Sequence, residues 1–70
     1  MYTAEVHYKD TISTITAPTI EALYRILFAL DEDVFVNGTQ VKAFRGQHPD
    51  YPGAYFGGYS REGLAALFNN

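Results

Sequence analysis

Seventy residues, eight acidic against five basic side chains and a formal charge of −3 describe one small acidic domain, residues 1–70, without a cysteine. Disulfides are therefore excluded, and two histidines are too few for the four Cys or His ligands that structural zinc takes. Lys9, Arg25, Lys42, Arg45 and Arg61 are dispersed, which argues against strong binding to a phosphate backbone, since that relies on clustered Lys and Arg.

Two stretches share a helix-start pattern, Thr19-Ile20-Glu21-Ala22-Leu23 and Ser60-Arg61-Glu62-Gly63-Leu64, each after a pair of strand-like runs. One ββα unit used twice would explain both. A unit this short cannot bury its sheet and its helix alone, so the two copies are expected to share a core.

Tyr2, Ala4, Val6 and Tyr8 alternate with Thr3, Glu5, His7 and Lys9, the period of a strand with one apolar and one wet face. Lys9-Asp10-Thr11 can turn the chain, and the β-branched run Thr11 to Thr16 completes a hairpin. Ile12 and Ile15 do not share a face of that second strand, which suggests a bulge or a short strand.

Pro18 lacks a backbone donor and Thr19 can cap a helix, so a helix starts there. Ile20, Leu23, Leu27 and Leu30 form its apolar stripe, widened by Tyr24 and Ile26. Glu21 and Arg25 stand one turn apart as an exposed pair. The helix is expected to end near Leu30 or Asp31, where Asp31, Glu32 and Asp33 oppose its dipole.

Val34-Phe35-Val36 and Val41-Lys42-Ala43-Phe44-Arg45 flank Asn37-Gly38, a pair that tolerates positive φ and suits a type I′ turn. Lys42 and Arg45 then fall on opposite faces of one strand. From Gly46 to Gly58 the chain is punctuated by Pro49, Pro52 and glycines, with a short strand at Ala54-Tyr55-Phe56. Ser60 caps a final helix whose apolar side is Leu64, Leu67 and Phe68. Gly63 weakens that helix by about 1 kcal/mol relative to Ala.

These elements predict an α+β fold in ββαββα order: one antiparallel sheet of four or five strands with two helices on one face. Leu23, Leu27 and Leu30 should cover Ala4, Val6, Tyr8, Val34 or Phe35, Leu64 and Leu67.

Two surface features point to partner binding. Asp31, Glu32 and Asp33 form an acidic cluster suited to a basic partner. Tyr51, Tyr55, Phe56 and Tyr59 crowd a Pro- and Gly-rich stretch, and tyrosines held on a loop supply contact area with little rotamer entropy lost. The residues expected to bind a partner are Asp31, Glu32, Asp33, Tyr51, Tyr55 and Tyr59. The supply of bulky side chains, five Phe and six Tyr, also favours a homodimer.

Catalytic signals are absent by comparison. His7 lies on the wet face of the first strand and His48 precedes Pro49-Asp50, neither with a nucleophile at a fixed spacing. Ser13, Ser60 and the scattered carboxylates form no triad or paired-acid motif. No catalytic residue, cofactor site or metal site is assigned, and an enzyme is not expected. The start Met1-Tyr2-Thr3-Ala4-Glu5 lacks the basic opening and apolar run of a signal peptide, and no run approaches a membrane span. The expectation is a cytoplasmic protein without membrane contact.

Pro49-Asp50-Tyr51-Pro52-Gly53, followed by Gly58-Tyr59-Ser60-Arg61-Glu62-Gly63-Leu64, resembles the PDxPG segment and helix start of HicB-like antitoxins. The resemblance covers residues 34–70 and implies a protein that binds and inhibits a ribonuclease toxin. The first half, Tyr2 to Thr16 and then Thr19 to Leu23, is similar to the ββαβ start of very small phage proteins that inhibit host RNA polymerase or CRISPR effectors. Both resemblances imply a small non-enzymatic protein that occupies a surface of a larger one. The leading expectation is an anti-CRISPR or host-takeover type of inhibitor from a phage or mobile element. The antitoxin and a small nucleic-acid-binding module are the alternatives.

Overall fold

The computed structural model describes residues 1–53 and 56–69. It is an α+β domain of two antiparallel sheets and two helices. Strands β1 (Tyr2–Tyr8) and β2 (Thr11–Ala17) form the first hairpin and helix α1 (Ile20–Leu27) follows. Then come β3 (Asp33–Val36), the two-residue β4 (Thr39–Gln40), β5 (Ala43–Gln47), β6 (Phe56–Tyr59) and helix α2 (Arg61–Ala66). The large sheet has the order β2-β1-β3-β4, and β5 and β6 pair separately. The order is thus ββαββββα rather than ββαββα, because the second half inserts a strand pair of its own before its helix.

The alternation in β1 works as its sequence predicts. Ala4 and Val6 are buried while Thr3 and Glu5 are exposed. Val34 pairs with Val6 and so shares its face, and Val34 and Val36 are fully buried there. Leu23, Tyr24 and Leu27 of α1 and Leu64 of α2 close the same core cluster. Leu30 and Leu67 pack at its margin. Tyr8 departs from the expected core: it is 54% exposed at the hairpin end, where Lys9 Nζ sits 5.4 Å from its ring centroid.

The β1–β2 ladder runs without a register shift from Tyr2 opposite Ala17 to Tyr8 opposite Thr11. The bulge suggested by Ile12 and Ile15 does not form. Instead the two isoleucines divide between the faces, Ile12 exposed on the helix-free side and Ile15 packed against the core. At the other hairpin Asn37 and Gly38 adopt φ of 51° and 80°, the type I′ geometry that this dipeptide favours.

Both helix starts are capped as their sequences imply. The Ala22 N–H donates to Thr19 Oγ1 at 3.0 Å and the Gly63 N–H donates to Ser60 Oγ at 2.9 Å. Gly63 has a further role, since a Cβ there would stand 2.9 Å from the Ser60 hydroxyl. The missing side chain leaves room for the cap. Helix α1 stops earlier than its stripe suggests, at Leu27, with Phe28 as C-cap.

Val41 to Arg45 does not form one strand. The Val41 N–H donates to the Val34 carbonyl at 2.8 Å and its side chain is buried, but the neighbouring Val34 N–H is taken by the Tyr59 hydroxyl at 3.2 Å. With that ladder position occupied, the chain leaves the sheet through Lys42 and begins β5 at Ala43. Lys42 and Arg45 therefore do not share a strand.

Candidate functional site

Tyr59 explains how the second half is assembled. Its N–H donates to the Phe28 carbonyl at the end of α1 at 2.8 Å, and its own carbonyl accepts from His48 Nε2 at 2.8 Å. Its hydroxyl donates to the Glu32 carbonyl while accepting from Val34. The ring is only 2% exposed. Burial raises the phenol's pKa above its ordinary value, and the nearby acidic side chains of Asp33, Glu32 and Asp31 push in the same direction. Tyr59, expected as a surface anchor, is a buried tie between three segments.

The glycines before it make that approach possible. A Cβ on Gly58 would lie 1.9 Å from the Phe28 carbonyl oxygen, and its φ is 110°. Both facts demand glycine. Gly57, at φ 105°, has the Phe44 carbonyl 3.1 Å from where its Cβ would be.

His48 is fully buried. Its Nε2–H donates to Tyr59, and its Nδ1 accepts from the Asp50 N–H at 3.1 Å, so the two bonds define the neutral Nε2–H tautomer. Both ring nitrogens are committed to backbone groups. The Asp50 carboxylate turns elsewhere: Oδ2 accepts from the Tyr24 hydroxyl at 2.6 Å and from the Arg61 N–H, the first residue of α2, at 2.9 Å. Those two bonds, Tyr24 first, hold the Asp50 carboxyl below its ordinary value. Burial and then the Asp50 bond push the Tyr24 phenol well above its own. A His48–Asp50 side-chain pair is therefore not formed. In Pro49-Asp50-Tyr51-Pro52-Gly53 the aspartate joins both helices through the loop.

Tyr51 lies over this knot. Its ring centroid is 5.0 Å from that of Phe28, 5.5 Å from His48 and 6.5 Å from Tyr24, the last nearly parallel. It remains 36% exposed, so the ring is packed in part and reaches solvent in part. Tyr55 lies outside the described residues.

On the other side of Phe44 is a cleft of about 260 Å³ between residues 30–33 and the β5–β6 pair. Asp31 and Asp33 line it with Phe44, Arg45 and Phe56. Both aspartates are exposed, Glu32 is half-buried, and Asp33 accepts from Gln40 Nε2 at 3.2 Å. Phe56 is 81% exposed. Carboxylates beside an uncovered aromatic ring suit a cationic side chain, which gains charge neutralisation from the first and quadrupole attraction from the second. The fold thus brings the acidic cluster and the aromatic stretch together. Phe56, rather than Tyr59, supplies the exposed ring. Its place in the sequence, among glycines beside the tyrosine cluster, was the available signal.

Among the described residues no group of three or more His, Asp or Glu side chains is placed to hold a metal ion. No helix among them is long and apolar enough to cross a membrane. Comparison of the chain with known protein families, with characterised proteins and with solved structures finds no match.

Proposed function

We propose that this is a small binding protein without catalysis of its own, which acts in the cytoplasm by occupying a basic surface of a larger protein complex. The observation that carries this reading is the cleft in which Asp31 and Asp33 stand beside the 81% exposed ring of Phe56. An aromatic ring left in water at the mouth of an acidic cleft is the kind of anchor that concentrates binding energy at protein interfaces, and the flanking carboxylates select for Lys or Arg on the partner. Within this reading, an inhibitor encoded by a phage or mobile element and aimed at a CRISPR effector or RNA polymerase is the favoured role. Such complexes grip nucleic acid with basic surfaces, which an acidic protein can cover.

The test is affinity capture from a bacterial lysate at low and moderate salt, with the natural chain beside two variants, Phe56→Ser and Asp31→Asn combined with Asp33→Asn. Neither variant touches a core side chain. The expected result is one stoichiometric protein complex, retained by the natural chain and lost from both variants. Equal recovery by all three would overturn the cleft as the contact surface. Recovery of a ribonuclease would move the reading to the antitoxin-like alternative, and recovery of nucleic acid alone to a nucleic-acid module.

A further inference from the structure

The edge strand β2 provides a second surface, independent of the cleft. In β1–β2 the two-residue turn Lys9-Asp10 closes on Tyr8 opposite Thr11, and a turn of that length closes on a hydrogen-bonded pair. Paired residues then alternate in type along the ladder. Ile12, Thr14 and Thr16 fall on the wide pairs, opposite His7, Glu5 and Thr3. Their N–H and C=O groups therefore point away from β1, toward the open edge. The same alternation carried through β1 and β3 directs Val34 toward β4, where the Val41 N–H does bond the Val34 carbonyl at 2.8 Å.

Natural sheets guard such edges with charge, proline, bulges or short strands. None of these is present in β2. Its seven residues Thr11-Ile12-Ser13-Thr14-Ile15-Thr16-Ala17 carry no charge and no proline, and its ladder has no register shift. The opposite edge of the same sheet is protected by being two residues long. The free residues are moreover symmetric about Thr14. Antiparallel pairing with a second β2 on a two-fold axis through Thr14 sets Ile12 opposite Thr16 of the second copy and satisfies all of the edge groups together. The net charge of −3 would oppose association elsewhere on the surface, but β2 itself is neutral.

We infer that the protein forms a two-fold dimer through antiparallel pairing of β2 with β2 of a second copy, joining the two four-stranded sheets into one. The experiment is sedimentation equilibrium on the full chain, together with amide hydrogen exchange followed by NMR at several protein concentrations. A species of twice the 7.8 kDa chain mass is expected, and the amides of Ile12, Thr14 and Thr16 should gain protection as concentration rises. Those of Ser13 and Ile15, already bonded to β1, should not change. Thr14→Lys puts like charges side by side on the axis and leaves the fold alone, because Thr14 is exposed on the helix-free face. It should weaken dimerisation by about tenfold or more. A monomer at about millimolar concentration, a dimer whose edge amides remain unprotected, or a dimer indifferent to Thr14→Lys would each overturn the inference. A strand from an unrelated protein seated on β2 would appear as protection of the same amides only when that protein is added, and would overturn it too.

Discussion

The first thirty-six residues and the stretch from Val41 to Ala66 are built on different principles. The first is regular: an alternating strand, an unbroken hairpin, a capped helix, and burial of Ala4, Val6, Leu23, Leu27, Val34 and Val36. The second has short strands, a register shift between Phe44 and Gln47 and a run of positive-φ glycines. It is held by particular polar groups, the Tyr59 hydroxyl, the His48 ring and the Asp50 carboxylate. Hydrophobic burial is forgiving of small changes in shape, whereas a buried donor left without its acceptor costs its full desolvation. Substitutions should therefore act by volume in the first region and by single atoms in the second.

The largest effect is expected at Gly58. Gly58→Ala would drive a Cβ into the Phe28 carbonyl at a φ unfavourable to any side chain, costing about 3 kcal/mol or more, and circular dichroism should show loss of the cooperative transition. Gly38→Ala, in open space at φ 80°, should cost only about 1 kcal/mol. Equal effects would mean that α1 and β6 do not meet closely. Next comes Leu27→Ala, fully buried beneath the sheet, at about 2–5 kcal/mol by denaturant unfolding.

Asp50→Asn is expected to cost about 1 kcal/mol, modest because the carboxylate is exposed to solvent. Its pH dependence is more telling. Because Asp50 is held below its ordinary value in the folded state, the unfolded chain takes up that proton first as pH falls. The stabilisation is complete above about pH 5 and is lost as pH drops through about 4 and below. The stability gap between the natural chain and Asp50→Asn should close over that range. A gap constant from pH 7 to 3 would contradict the clamp. A smaller effect belongs to Glu21→Gln. Glu21 meets Arg61 at 2.6 Å and Arg25 at 3.9 Å, but these side chains are about half-exposed or more, and under about 1 kcal/mol is expected in urea titration.

How much of this was legible in the sequence follows the same division. Period-two alternation in β1, the two capping residues Thr19 and Ser60, and the Asn37-Gly38 turn are local signals, and each appears in the structure where the chain places it. The end of β4 at Gln40 is not local, because it depends on the Tyr59 hydroxyl arriving from nineteen residues further on and taking the Val34 N–H. Gly57 and Gly58 look like loop punctuation until Phe28 is set against them. His48 and Asp50 stand two residues apart in a loop, and nothing local tells that Tyr59 takes the first while Tyr24 and Arg61 take the second. The candidate site was half legible: Asp31 and Asp33 do meet the aromatic stretch, but period and composition cannot tell which ring faces inward. Tyr59 turns inward while Phe56 stays outside because a phenol can satisfy buried backbone groups and a phenyl ring cannot.

That division between the two rings is tested most directly by thermal unfolding of Tyr59→Phe beside Phe56→Ser. Removing the Tyr59 hydroxyl leaves the Val34 N–H and the Glu32 carbonyl without it, at about 1–3 kcal/mol, a drop in Tm of roughly 4–8 °C per kcal/mol for a domain of this size. Phe56→Ser should leave Tm unchanged. If Tyr59→Phe melts with the natural chain while Phe56→Ser falls, the assignment of one ring to the fold and the other to the partner is contradicted.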